Sequence, residues 1–105
     1  MQILVNTDHN IEGSEDLAAH VRGVVEHALG RFHDRVTRVA VHLRDENSVK
    51  GGEDDQACTM EARLEGRPPT VATHRAPTRE LAVSGAADKL KRAIENTLGR
   101  LEDRR

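Results

Sequence analysis

In Val36-Thr37-Arg38-Val39-Ala40-Val41-His42-Leu43-Arg44 the apolar residues Val39, Val41 and Leu43 take every second position, with Arg38, Ala40, His42 and Arg44 between them. A period of two is that of a strand with one buried and one wetter face. Upstream the period differs. Leu17, Val21, Val24, Val25, Ala28 and Phe32 recur at three-and-four spacing, which is one apolar stripe of an amphipathic helix. Ser14 suits the N-cap of that helix, and Glu15 and Asp16 place carboxylates in its first turn, where the helix dipole favours them. Gly23 and Gly30 weaken it by about 1 kcal/mol each relative to alanine. The change of period near Val36 therefore marks a helix running into a strand.

Working outward, Gln2 to Asn6 reads as a short strand carrying Ile3, Leu4 and Val5, and the polar run Thr7 to Gly13 ends it. Beyond Arg44, the segment Asp45 to Asp55 holds Gly51-Gly52 and five carboxylates, and reads as a solvated loop whose spacing fails the calcium-loop pattern. Gln56 to Glu65 alternates again, with Cys58, Met60, Ala62 and Leu64 against Thr59, Glu61, Arg63 and Glu65. Gly66-Arg67-Pro68-Pro69 is a tight connection, and Thr70 to Arg75 a fourth, shorter strand. Thr78 can cap a last helix with Pro77 just outside. Leu81, Leu90, Ile94, Leu98 and Leu101 form its apolar stripe, and Ala82, Ala86 and Ala87 allow close packing.

The order is strand, helix, strand, strand, strand, helix. A helix between the first two strands permits a parallel pair through a right-handed crossover, and the short later connections favour antiparallel neighbours. The expected fold is α+β, a two-layer βαβββα sandwich with a four-stranded mixed sheet and both helices on one face. Residues 1–105 are expected to form one domain that starts at the initiator methionine, without linker or repeat. The other sheet face, with Arg38, His42, Arg44, Thr59, Glu61, Arg63 and Glu65, is expected to meet water or a partner.

Composition narrows the function. Of 105 residues, 36% are hydrophobic and 32% charged, so the chain is well solvated yet able to build a core. Phe32 is the sole aromatic, which makes the core aliphatic and argues against modules that stack bases on exposed rings. Cys58 is the sole cysteine, so neither an internal disulfide nor a cysteine-paired zinc site is available. Its place among core positions reads as a buried small hydrophobe. No apolar run approaches membrane-spanning length. His20 and His27 lie seven apart on one helix face without a third ligand in view, so no metal is expected; His42 and His74 fall on strands. No phosphate-cradling glycine motif, nucleophile elbow or metalloprotease signature is present, and neither an enzyme nor a cofactor is expected. The net charge of −2 is unevenly spread: the acids Asp45, Glu46, Glu53, Asp54 and Asp55 face only Lys50 in their segment, leaving a cationic excess elsewhere.

The opening Met1-Gln2-Ile3, the helix with Leu17, Val21, Val25 and Phe32, and above all Leu81-Ala82-Val83-Ser84-Gly85-Ala86-Ala87-Asp88-Lys89-Leu90-Lys91-Arg92 carry a resemblance. The chain resembles the short-type ribosome hibernation-promoting factor and ribosome-associated inhibitor family in element order and length, most specifically in the last helix. The resemblance implies a bacterial, cytoplasmic protein, monomeric off the ribosome and without a membrane. It implies binding to the small ribosomal subunit and its ribosomal RNA, in the channel used by messenger and transfer RNA, and silencing of translation in stressed or stationary cells. A chain that stops after the second helix looks like the short type, lacking the appended domain that pairs ribosomes. Lys89 and Arg92 match basic positions of the family's second helix. Arg22 and Arg31 lie on the first helix, where this chain reads Val24 and His27 in place of the family's usual lysines.

Ribosomal RNA presents phosphates, and a binder needs cations on a rigid scaffold, each ordered contact releasing counterions. The RNA-binding candidates are Lys89, Arg92, Arg22, Arg31, Arg35 and Lys91, with Arg75, Arg79 and Arg100 as further sources. Lys89 and Arg92, three apart on a helix, share a face. The nucleic-acid reading expects cations of the two helices to converge into one patch. The alternative is a protein-interaction or regulatory module on the same fold that does not bind RNA, with the acidic loop as its contact.

Overall fold

The computed structural model describes residues 1–8, 15–46 and 55–103, with side chains described as far as Gly99. Strand β1 (Gln2–Thr7) leads to helix α1 (Glu15–Leu29), a single 3-10 turn (Gly30–Phe32), strands β2 (Val36–Asp45), β3 (Gln56–Leu64) and β4 (Thr70–Ala76), and helix α2 (Arg79–Asp103). The sheet order is β1-β2-β3-β4. β1 runs parallel to β2, while β2–β3 and β3–β4 are antiparallel. The α+β, βαβββα architecture expected from the periods is the one present. Ser14 and the loop residues 47–54 lie outside the described residues.

Both helices cover one face. Val21, Val25 and Leu29 of α1 and Ala82, Val83, Ala86, Ala87, Leu90 and Ile94 of α2 join Val39, Val41, Leu43, Cys58, Met60 and Ala62 of the sheet in one buried cluster. Among the described residues no polar or charged side chain is buried. Fully burying an aliphatic side chain contributes about 1.5–3 kcal/mol, so this all-aliphatic cluster is what holds the layers together. The alanines at 82, 86 and 87 keep α2 close to β3 and β4. Gly85 does the same for one specific contact: a Cβ there would strike the imidazole of His74, whose ring lies against the helix from β4. Thr78 caps α2 as its sequence suggests, its Oγ1 accepting from the Leu81 N–H at 3.1 Å. The β3–β4 turn closes through Arg67 N–H to the Leu64 carbonyl at 3.1 Å, and Gly66 takes φ +73°, a left-handed conformation that glycine adopts without a Cβ penalty.

Three expectations are corrected. Leu81 is 55% exposed and takes no part in the core stripe of α2. It precedes Leu90 by nine residues, and at 100° per residue that places it half a turn round the helix. Phe32 is buried but belongs to the 3-10 turn, because α1 ends at Leu29. Gly30 therefore stands where α1 gives way, and only Gly23 is a helix-interior glycine of α1. The third concerns β2. Val36 pairs with Leu64 and Arg38 with Arg63, so Thr37 is an extra residue, a β-bulge. Val36 and Val39, three apart, are both buried, which an unbroken period of two would not allow.

Candidate nucleic-acid interface

The helical layer brings some of the expected cations together and disperses the rest. Lys91 projects from α2 into the seam against α1, where His20, Val24, His27, Ser84 and Asp88 line a groove of about 530 Å3. Further along the same seam, Arg31 and Arg35 line a second hollow of about 370 Å3 with Phe32, Glu95 and Leu98. Arg31 gives one Nη1–H to Glu95 Oε2 at 3.2 Å, and its guanidinium carbon stands 5.1 Å from the Phe32 ring centroid. That pairing holds Arg31 across the two helices and balances much of its charge.

Lys89, Arg92 and Arg22 point elsewhere. Lys89 turns to the outer strand, its Nζ donating to the Thr73 carbonyl at 3.2 Å. The contact covers a carbonyl on the exposed edge of β4, where unpaired backbone invites unwanted pairing. Arg92 turns back one helical turn onto Asp88 at 3.1 Å. Lys89 and Arg92 are thus neighbours in spacing but engaged in different contacts. Arg22 is exposed; it follows buried Val21 by 100° where His20 precedes it by the same angle, so it flanks α1 on the side away from the seam. Arg79 is half-buried at the start of α2, and the Arg100 side chain lies outside what is described. α1, the 3-10 turn and α2 together hold seven Lys or Arg residues and eight carboxylates. The two helices do not supply a single cationic patch; Arg31 and Arg35 share one hollow of the seam and Lys91 lines the other.

The uncovered face of the sheet has the opposite balance. Its strand positions, read across the register, are Gln2, Arg38 and Arg63; Leu4, Ala40, Glu61 and Val71; Asn6, His42, Thr59 and Thr73; and Arg44, Ala57 and Arg75. Four arginines share these strand positions with one carboxylate, Glu61, and a second carboxylate, Glu46, reaches the face from the end of β2. At one end Arg75 holds both oxygens of Glu46 at 3.1 Å, and Arg44 reaches the same carboxylate at 3.5 Å. These three side chains close over Ala57, which is 1% exposed although it lies outside the core cluster. At the other end Arg38, alternating with buried Val39, stands opposite Arg63 at the last step of the regular β2–β3 register before the bulge at Thr37. The Thr37 hydroxyl donates to the Arg63 carbonyl at 3.2 Å and fixes that geometry. Arg63 Nε stands 3.8 Å from Glu61, a loose and exposed contact. The alternation of the sequence puts Arg38, Arg44 and Arg63 on the face expected to meet water or a partner, and Arg75 is among the further sources of phosphate contacts. That Arg38 stands opposite Arg63 follows from the β2–β3 register.

Burial pushes the Cys58 thiol up to about 12, so it is an inert core group and not a nucleophile. Among the described residues no group of three or more His, Cys, Asp or Glu could hold a metal ion, and no helix is long and apolar enough to cross a membrane.

Residues 4–102 match the family model described as sigma 54 modulation protein / S30EA ribosomal protein. The chain belongs to that family. S30EA ribosomal proteins are ribosome-associated, and hibernation-promoting factors fall among them, in keeping with the resemblance in α2. The structure is similar to the Protein Y N-terminal domain of Thermus thermophilus, with a TM-score of 0.74 and 16% identity over 92% of this chain and 99% of that one. It is also similar to a ribosomal subunit interface protein from Coxiella burnetii, with a TM-score of 0.66 and 16% identity over 93% of this chain and 99% of that one. At such identity the likeness speaks for the S30EA fold. No curated protein matches in sequence.

Proposed function

We propose that this protein binds the small ribosomal subunit through its ribosomal RNA and silences translation under stress or in stationary phase, acting in the cytoplasm as a monomeric single domain. Membership of the S30EA family over residues 4–102 carries the reading. The names given to the two structural neighbours, a Protein Y domain and a ribosomal subunit interface protein, agree with it. On the helical layer the seam residues Arg31, Arg35 and Lys91 are the cations best placed to meet phosphate, held on α2 and on the segment that leads from α1 into β2. Lys89, Arg92 and Arg22 add charge at its margins. The sole aromatic is buried, so recognition rests on phosphates and not on stacked bases; binding of that kind is sequence-independent and strongly weakened by salt. Its activity is occupancy, not turnover.

Gradient sedimentation with purified small subunits tests this. Wild type is expected to co-sediment at low salt and to leave the subunits as salt rises. A Lys91→Glu, Arg35→Glu variant and a Lys89→Glu, Arg92→Glu variant are each expected to show reduced occupancy. Wild type found only in subunit-free fractions at low salt would overturn the reading. The net charge of −2 favours a second one, a protein partner met without RNA. That reading expects a specific protein in a pull-down that survives nuclease.

A further inference from the structure

The helices are charge-balanced, whereas the open sheet face is not. We propose that this open face, centred on Arg38 and Arg63, is a second surface for the RNA phosphate backbone, so that the protein holds RNA on both of its layers. The inference rests on the reading that ribosomal RNA is the partner, and it names the side of the protein on which that partner also lies.

Three independent observations carry it. The first is the charge excess itself: four arginines against Glu61 on strand positions that no helix covers. The second is the juxtaposition of Arg38 and Arg63 as direct cross-strand partners. Opposed side chains on an antiparallel pair have Cβ atoms about 4.5–5.5 Å apart, and like charges there oppose folding. Inside the fold only the loose, exposed Glu61 contact to Arg63 offsets this repulsion, and the ligand that relieves two adjacent guanidinium groups is anionic. The third is an anchor beside the pair: Thr37, the bulge residue next to Arg38, donates its hydroxyl to the Arg63 carbonyl at 3.2 Å and ties the two strands together where the arginines meet.

The chemistry of the face selects phosphate over bases. The neighbours of the pair are Gln2, Ala40, Glu61 and His42, and no Phe, Tyr or Trp is available to stack. A flat sheet with fixed arginines suits a backbone that presents oxygens at regular intervals, and each guanidinium can donate two hydrogen bonds to one phosphate. At the far end Arg44 and Arg75 share the Glu46 carboxylate at 3.5 and 3.1 Å, a closer pairing than the 3.8 Å Arg63–Glu61 contact, which leaves the Arg38–Arg63 end as the one that gains most from an anion.

The test is binding of purified small subunits across a salt series by wild type and by an Arg38→Thr, Arg63→Thr variant. The slope of log affinity against log salt is expected to fall by about two, one per lost phosphate contact. Thermal unfolding of the same variant is expected to show a fold at least as stable as wild type, so that weaker binding cannot come from unfolding. An unchanged affinity and slope would overturn the inference while leaving the proposed function standing. If wild type binds no small subunits, the proposed function fails. The sheet surface is then read by amide shifts of labelled protein titrated with an RNA hairpin and, separately, with polyglutamate. Shifts at Gln2, Arg38, His42 and Arg63 with RNA support it. Shifts confined to the helices, shifts on the sheet face with polyglutamate alone, or no shifts at all overturn it.

Discussion

Arg38 and Arg63 stand directly opposite each other on neighbouring antiparallel strands, on the face of the sheet that the helices leave open. Beside the pair the bulge residue Thr37 anchors its hydroxyl on the Arg63 carbonyl. Relieving this like-charge pair should stabilise the protein. Arg63→Thr replaces one member by a β-branched residue suited to a strand and is expected to gain about 0.2–1 kcal/mol, read as a raised denaturant midpoint. A loss of stability on this substitution would show that the pair is not under repulsion.

Glu46 ties Arg75 and Arg44 at the other end of the same face. All three side chains are more than a third exposed, so the cluster contributes little to folding, under about 1 kcal/mol. Glu46→Gln is therefore expected to leave the midpoint of unfolding nearly unchanged while releasing two arginines. Elution from a polyanion column should shift to higher salt; an unchanged elution point would mean that these arginines do not reach an external anion.

The helix-interior glycines Gly23 and Gly85 should respond in opposite directions to alanine. A Cβ at Gly23 meets nothing, so Gly23→Ala gains helix propensity, about 1 kcal/mol. At Gly85 a Cβ collides with the whole His74 ring, near end included, and the overpacking costs about 1–3 kcal/mol despite the better propensity. Pairing Gly85→Ala with His74→Ala removes the collision and should recover much of that loss. A double variant no better than Gly85→Ala alone would place the cost elsewhere.

The Cys58 thiol fixes the alkaline behaviour. Its ordinary value of 9.0 in the unfolded chain rises to about 12 on burial, so between these values the folded state retains a proton that the unfolded state has lost. Its contribution to stability is complete below pH 9 and is lost as pH rises toward 12. Cys58→Ala should flatten that alkaline decline. A thiol reagent at neutral pH should label wild type only after denaturation; rapid labelling of the folded protein would contradict the burial.

The change of hydrophobic period at Val36, the Thr78 cap, the glycine turn at Gly66 and the alternation through Met60 are local matters, settled by backbone geometry within a few residues. The sequence by itself therefore determined the elements, their order and, with the handedness of the crossover, the sheet. Residues such as Leu81 were misplaced only where a stripe was extended across nine positions without following the helical angle. Which cations meet was not legible in the same way. Arg31 finds Glu95 from sixty-four residues away, Lys89 finds the β4 backbone, and Arg38 meets Arg63 through the pairing of β2 with β3. Contacts between side chains depend on register and helix rotation, both set by packing between distant segments, so the tertiary structure alone decided which charges meet and which stay apart.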